Sequence, residues 1–281
     1  MSVSELIASV GQRLTPAERR IAEAVLEDPT RLAFGTVSDL AARVGTSHPT
    51  VVRFATKLGF GGYAELQEHA RRDLSARLSR PSARIRSQDD QPAGTDRLDA
   101  PRTAMGTALE SVFHAVDGGR LAQLAAPLVT ARRIWILTGE TSRAGALVLR
   151  SGLNMVRPGV HLVDEHDCGR DLSGAEPGDA AVVFDFARYR RHSVEAARAL
   201  AEAGVDLVAI TDGPLSPLAE LTGTWCQLEV PGIGPFDTSV PSVALAELLV
   251  AEVARELRDE AAARIDRVED LWAATGTFFS G

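Results

Sequence analysis

Apolar residues recur through residues 1–80 at helical spacing, and nowhere with the alternation of a half-buried strand. Ile21, Ala22 and Val25 form one apolar face behind Thr15-Pro16-Ala17-Glu18. That tetrapeptide is a helix start: Thr15 caps the Glu18 N–H, Glu18 returns the bond, and Pro16 sits where no N–H is needed. Thr36-Val37-Ser38-Asp39 repeats the chemistry ahead of Val37, Leu40, Ala41 and Val44, spaced i, i+3, i+4, i+7. Gly45 ends this helix. After a two-residue turn Ser47 caps another, whose inner stripe is Val51, Ala55 and Leu58 and whose stop is Gly59. Helix, tight turn, helix over residues 36–58 is the spacing of a helix-turn-helix.

Further along, the grammar changes twice. Pro81, Pro92 and Pro101, with Ser, Gln, Asp and Gly between them, carry no period of either kind, so residues 81–103 read as a mobile linker. From residue 104 a helical pattern through Leu109, Val112, Val116 and Leu121 leads into short apolar runs at 134–137, 160–163, 180–186, 207–211 and 225–230. Helical patterns fall between them at 144–155, 193–203 and 217–221, and a long one runs over 240–259. Unbroken apolar strands alternating with helices specify a parallel sheet covered on both faces. The expected architecture is an all-α helix-turn-helix domain over 1–80, joined by the linker to an α/β three-layer sandwich over 104–281 with a five-stranded parallel sheet.

Composition adds bounds rather than detail. With 281 residues, 45% hydrophobic and 24% charged, the chain has apolar mass for one large or two ordinary domains, which excludes wholesale disorder. Two cysteines, Cys168 and Cys226, exclude a disulfide scaffold. Residues 1–15 lack the charged, apolar, then small-residue order of an export signal, and no apolar run approaches the ~18–20 residues of a membrane helix. A soluble cytoplasmic protein, away from membranes, is expected. Charge says more. Residues 1–86 carry 13 Lys+Arg against 9 Asp+Glu, a balance of +4, whereas the rest carry 17 against 29, a balance of −12. A basic head on an acidic body suits a chain whose front meets a polyanion. Lys57 is the only lysine, so a single arginine is weak evidence of function.

On the second helix of the pair, Thr50, Arg53 and Lys57 fall at i, i+3 and i+7, opposite the inner stripe, with Ser47 and His48 at the tip. That tip is what enters the major groove in a helix-turn-helix, where short polar side chains and arginine reach base edges. Backbone N–H groups at the helix starts near Thr36 and Ser47 suit phosphates. An ordinary solvated face would carry the same residue types. Residues 37–63, above all Ser47…Thr50-Val51-Val52-Arg53-Phe54, then Leu58-Gly59-Phe60 and Gly62-Tyr63, resemble the N-terminal DNA-binding domain of the RpiR family of bacterial transcriptional regulators. Leu14-Thr15-Pro16-Ala17-Glu18-Arg19 matches the family's start. The resemblance implies operator contacts from Ser47, His48, Thr50, Arg53 and Lys57, and a phosphate contact from Thr36. It makes Gly59 to Tyr63 a structural corner. Thr46 stands where the family pattern has Val.

In a doubly wound sheet small ligands bind beyond the carboxyl ends of the strands, where strand order reverses. Two loops qualify. Thr138-Gly139-Glu140-Thr141-Ser142-Arg143 follows one strand and opens a helix; Ala187-Arg188-Tyr189-Arg190-Arg191-His192-Ser193 follows another and does the same. Four cationic or potentially cationic side chains in five positions at such a place suit anion capture, and equally a solvated turn. Residues 120–235 resemble a sugar isomerase (SIS) domain, the usual C-terminal partner in RpiR regulators. Gly139 and Ser142 match part of its first loop, and Ile210-Thr211-Asp212 with Ser216-Pro217-Leu218-Ala219 matches a later one. The resemblance implies a five-stranded α/β sandwich that dimerises and binds a phosphorylated sugar. This chain departs from it at one place. Phosphosugar binders carry Ser-x-Ser-Gly-x-Thr after the third strand, where Asp185-Phe186-Ala187-Arg188-Tyr189-Arg190 stands here, with Ser193 beyond. A carboxylate or another small anion therefore competes with a sugar phosphate as effector. The effector candidates are Gly139, Glu140, Thr141, Ser142, Arg143, Arg188, Tyr189, Arg190, His192 and Ser193.

No cofactor is expected. His161, Asp164, Glu165, His166, Asp167 and Cys168 fit no zinc spacing and read as a surface loop. Gly232-Ile233-Gly234 lacks the third glycine of a dinucleotide fingerprint, and no Walker sequence exists. The turn Phe236-Asp237-Thr238-Ser239 could line the pocket from its far side, and capping of the long helix is the simpler reading. Three functions follow: a ligand-responsive, sequence-specific regulator on double-stranded DNA, acting as a homodimer or higher homo-oligomer; a SIS-type sugar-phosphate isomerase or binding protein with an accessory helical domain; and an interaction module without ligand. The first is the expected one. No catalytic pair is legible among Glu140, Asp185, His192 and Asp237, so an enzyme is not expected.

Overall fold

A computed structural model describes residues 3–10, 13–27, 32–33, 35–78, 81–87, 97–140, 142–214 and 216–278. It forms two compact units, Met1–Ser87 and Gln88–Gly281.

In the first unit α1 (Val3–Val10) and α2 (Pro16–Glu27) are followed by α3 (Val37–Arg43) and α4 (His48–Lys57), then α5 (Tyr63–Leu78) and α6 (Pro81–Ser87). Thr15 and Glu18 exchange the expected bonds, Glu18 N–H to Thr15 Oγ1 at 3.4 Å and Thr15 N–H to Glu18 Oε2 at 2.8 Å. Thr36 and Asp39 form the second capping box. Gly45 and Gly59 adopt φ of 61° and 97°, the left-handed conformation that ends α3 and α4. Ile21, Val51, Phe54, Ala55 and Leu66 are fully buried at the centre of this unit. On α5, Gln67 donates to the carbonyls of Leu32 and Gly35 and Arg71 to that of Ala33, so this helix supports the entry to α3.

The second unit runs α7 (Asp99–Ala115), α8 (Gly118–Thr130), β1 (Ile134–Thr138), α9 (Arg143–Val156), β2 (Val160–Leu162), α10 (Cys168–Leu172), β3 (Ala180–Phe184), α11 (Arg191–Glu202), β4 (Asp206–Thr211) and β5 (Trp225–Gln227). A hairpin of β6 (Gly232–Ile233) and β7 (Phe236–Asp237) leads into α12 (Val240–Thr275). The five main strands are parallel in the order β2-β1-β3-β4-β5. Alternate residues face opposite ways. Ile134, Ile136, Val182 and Phe184 join Leu128, Leu149, Leu249 and Val253 in one core, while Trp135, Leu137, Ala181 and Val183 join Val194, Ala197 and Leu200 of α11 in the other. Gly145 and Gly152 let α9 lie close on α12, for a Cβ at Gly145 would come 2.8 Å from the Ser242 carbonyl oxygen.

Differences from the sequence reading have local causes. Residues 81–103 were expected to lack regular structure, yet α6 begins at Pro81 and α7 begins at Asp99; residues 88–96 lie outside the described ones. Both prolines occupy first-turn positions, where a missing N–H costs nothing. Residues 217–221 form turns instead of a helix, and α10 occupies part of an expected loop. The long helix continues past 259 through a kink at Arg258 (φ 33°, ψ −94°), because Ala261 and Ile265 carry its apolar face back onto the core. Among the described residues, no helix is long and apolar enough to cross a membrane.

Candidate nucleic-acid interface and effector crevice

The buried face of α4 fixes what its other face presents. Val51, Phe54 and Ala55 are sealed in the core, which turns Ser47, His48, Val52 and Arg53 outward and leaves Thr50 half-buried. Ser47 holds the N-cap position, but its hydroxyl bonds sideways to Thr50 Oγ1 (3.0 Å), and Arg53 Nη2 donates to the same oxygen at 3.1 Å. Three of the expected contact residues thus form one hydrogen-bonded row on an exposed helix face. His48 lies exposed beside them.

Two others are engaged within the unit. Thr36 donates its hydroxyl and its N–H to Asp39 Oδ2 (2.7 and 2.9 Å) and accepts from the Asp39 N–H. Its hydrogen bonds to Asp39 hold that carboxyl below the usual carboxylate range, and an anion already sits where a DNA phosphate was expected. Lys57 turns back to the body of the domain: its ammonium meets Glu18 Oε2 at 2.6 Å and the Arg13 carbonyl at 3.0 Å. Burial pushes the Glu18 carboxyl up, but the bonds from Lys57 and Thr15 outweigh it and leave the group below its ordinary value. In the sequence Glu18 is legible only as a cap; its second partner is 39 positions away.

In the second unit, strand order reverses between β1 and β3, the switch point beyond whose carboxyl ends doubly wound sheets take small ligands. Both candidate loops lie there. Gly139 is buried and donates its N–H to the Phe184 carbonyl at 2.9 Å. Ser142 donates to that carbonyl too, at 2.8 Å, and Thr138 to the Gly139 carbonyl. From the β3 side comes a residue absent from the expected set, Asp185. It accepts the N–H groups of Phe186 (3.0 Å) and Arg190 (2.8 Å) and the hydroxyl of Ser193. Burial raises its pKa despite those bonds.

The cations of the crevice are mostly paired. Arg190 lies 3.9 Å from Glu140, Arg143 lies 4.0 Å from Asp164, and His192 Nδ1 lies 3.2 Å from Glu165. Tyr189 donates to Asp212, and burial with that carboxylate pushes the phenol pKa up. Arg188 is exposed at a φ of 72°, strained for an arginine. Thr141 lies outside the described residues. Among the described residues no buried side-chain polar atom lacks a hydrogen-bond partner, and no three His, Cys, Asp or Glu side chains lie close enough to share a metal.

A helical head with an exposed polar face on its second motif helix, followed by a five-stranded parallel sheet in 2-1-3-4-5 order, is the architecture of a helix-turn-helix domain joined to a doubly wound α/β domain. Residues 1–77 match the helix-turn-helix domain of the rpiR family, and residues 128–252 match the SIS domain. The chain belongs to the RpiR family of transcriptional regulators, as the motifs implied. It is 26% identical over 251 residues to the HTH-type transcriptional regulator HexR of Pseudomonas aeruginosa, covering 89% of this chain and 86% of that one. The Vibrio vulnificus NanR protein, solved in complex with ManNAc-6P, superposes with a TM-score of 0.57 at 20% identity, over 96% of this chain and 97% of NanR. The sugar isomerase domain of an RpiR transcription factor from Sphaerobacter thermophilus superposes with a TM-score of 0.59 at 24% identity, over 62% of this chain and 99% of that domain.

Proposed function

We propose that this protein is a cytoplasmic regulator that reads a double-stranded DNA operator through α4, as a homodimer or higher homo-oligomer, and that a small anionic metabolite at the β1–β3 crevice tunes it. The observation that carries the reading is the hydrogen-bonded row of exposed Ser47, half-buried Thr50 and exposed Arg53 on a helix whose opposite face is locked into the core. Ser47, His48, Thr50 and Arg53 are the base-reading candidates, with Arg53 suited to a guanine edge. Lys57 and Thr36, engaged by Glu18 and Asp39, position the motif instead. Self-association is supported by Met105, Leu109 and Phe113, at i, i+4 and i+8 on α7, which are exposed as one apolar stripe. Two heads on one assembly would meet two half-sites. The effector acts only in so far as it binds the DNA-competent and incompetent arrangements with different affinity.

An isomerase would need an acid–base pair free to move a proton. Asp185 is tied to Ser193 and two backbone N–H groups, and Glu140 faces Arg190, which favours a sensor over an enzyme. The test is selection of duplexes from a random pool by the full chain, followed by titration of the selected site with small carboxylates and phosphates. A recurrent pair of half-sites whose affinity changes with one of these anions is expected; an unenriched pool would overturn the reading.

A further inference from the structure

The first N–H groups of a helix point at one place and favour an anion there. At the start of α11 the first of these groups, the N–H of the N-cap residue Arg190, is taken by a carboxylate of the chain itself. Asp185 Oδ2 receives the Arg190 N–H and the Ser193 hydroxyl, and Oδ1 receives the Phe186 N–H. The carboxylate is 2% exposed. The facing wall is shaped around it, since a Cβ on Gly139 would lie 2.7 Å from Asp185 Cγ. At the mouth, Arg190 and His192 already face Glu140 and Glu165. An incoming phosphoryl dianion would meet a like charge at contact range, with the Arg190 and Phe186 N–H groups and the Ser193 hydroxyl already engaged.

Resting on the effector reading of this crevice, we propose that Asp185 is a built-in anion that fills the phosphate position. It is then the residue that sets specificity, and of the two anion classes above the crevice refuses phosphate esters. A serine at 185 would hand the Arg190 and Phe186 N–H groups and the Ser193 hydroxyl to an external phosphate.

The full chain as wild type, Asp185→Ser and Asp185→Asn is titrated with inorganic phosphate and with a hexose 6-phosphate against sodium chloride of equal ionic strength, following heat release and the thermal midpoint. Wild type and Asp185→Asn, in which the position stays filled, are expected to respond as they do to chloride. Asp185→Ser is expected to bind at least tenfold more tightly than wild type, with a midpoint rise of about 2 °C or more. Asp185→Gly serves the same purpose if the serine variant does not fold. Phosphate binding by wild type as tight as by the opened variant overturns the proposal, as does a folded opened variant that ignores phosphate. The effector reading fails on a different result: wild-type operator affinity unmoved by every small carboxylate and phosphate tried.

Discussion

Removing the Lys57 ammonium distinguishes a positioning role from a DNA contact. In Lys57→Met the buried Glu18 carboxylate, with a side chain only 8% exposed, loses its 2.6 Å partner and keeps only its bonds from Thr15. A hydrogen bond between charged groups is worth roughly 1.5–3 kcal/mol, and the 32% exposure of the Lys57 side chain reduces this to about 1–2 kcal/mol. Because Glu18 titrates below its unfolded value, the stabilisation is present above the ordinary carboxylate range and lost as pH falls through the folded value. The deficit of Lys57→Met in urea unfolding should therefore be full at pH 7 and shrink below about pH 4. Glu18→Gln should reproduce part of it. Operator affinity should weaken with the slope of log K against log salt unchanged, since no phosphate contact has gone. A slope smaller in magnitude by about 1, with stability intact, would refute the positioning role and make Lys57 a phosphate ligand.

Other outcomes follow from the same geometry. Arg157 is buried and donates to the carbonyls of Leu128, Val129 and Ala131 at the end of α8, so Arg157→Leu should cost about 2–4 kcal/mol in urea unfolding by leaving them unpaired. Gly145→Ala should cost about 1–3 kcal/mol by forcing α9 away from α12; an unchanged midpoint would contradict the close approach. Leu109→Asp with Phe113→Asp should shift the assembly toward monomer in sedimentation without loss of helix content, and an unaltered mass would move the interface elsewhere.

What could be read in the sequence was local. Both capping boxes, at Thr15/Glu18 and Thr36/Asp39, involve partners three residues apart, and the left-handed stops at Gly45 and Gly59 need only their own backbone. The strands of the sheet were legible because burial on both faces leaves unbroken apolar runs. Long-range pairing was not. Lys57 was read by its place on the α4 face, and nothing nearby announced Glu18. The cationic loop at 188–192 was read as free charge, although Glu140 and Glu165, each from another loop, face Arg190 and His192. Asp185 was seen as a missing serine, while its role as an internal anion depends on three donors and a facing glycine that only the fold assembles. Pro81 and Pro101 misled because a helix breaker in mid-segment is tolerated in a first turn.

The central claim, that α4 reads bases, is tested most directly by the ratio of operator to random-duplex affinity at one salt concentration for wild type and Arg53→Ala. A ratio lowered by about 5- to 150-fold, the equivalent of 1–3 kcal/mol, with random-duplex affinity nearly unchanged is the predicted result. An unchanged ratio, or equal loss on both duplexes, would contradict it.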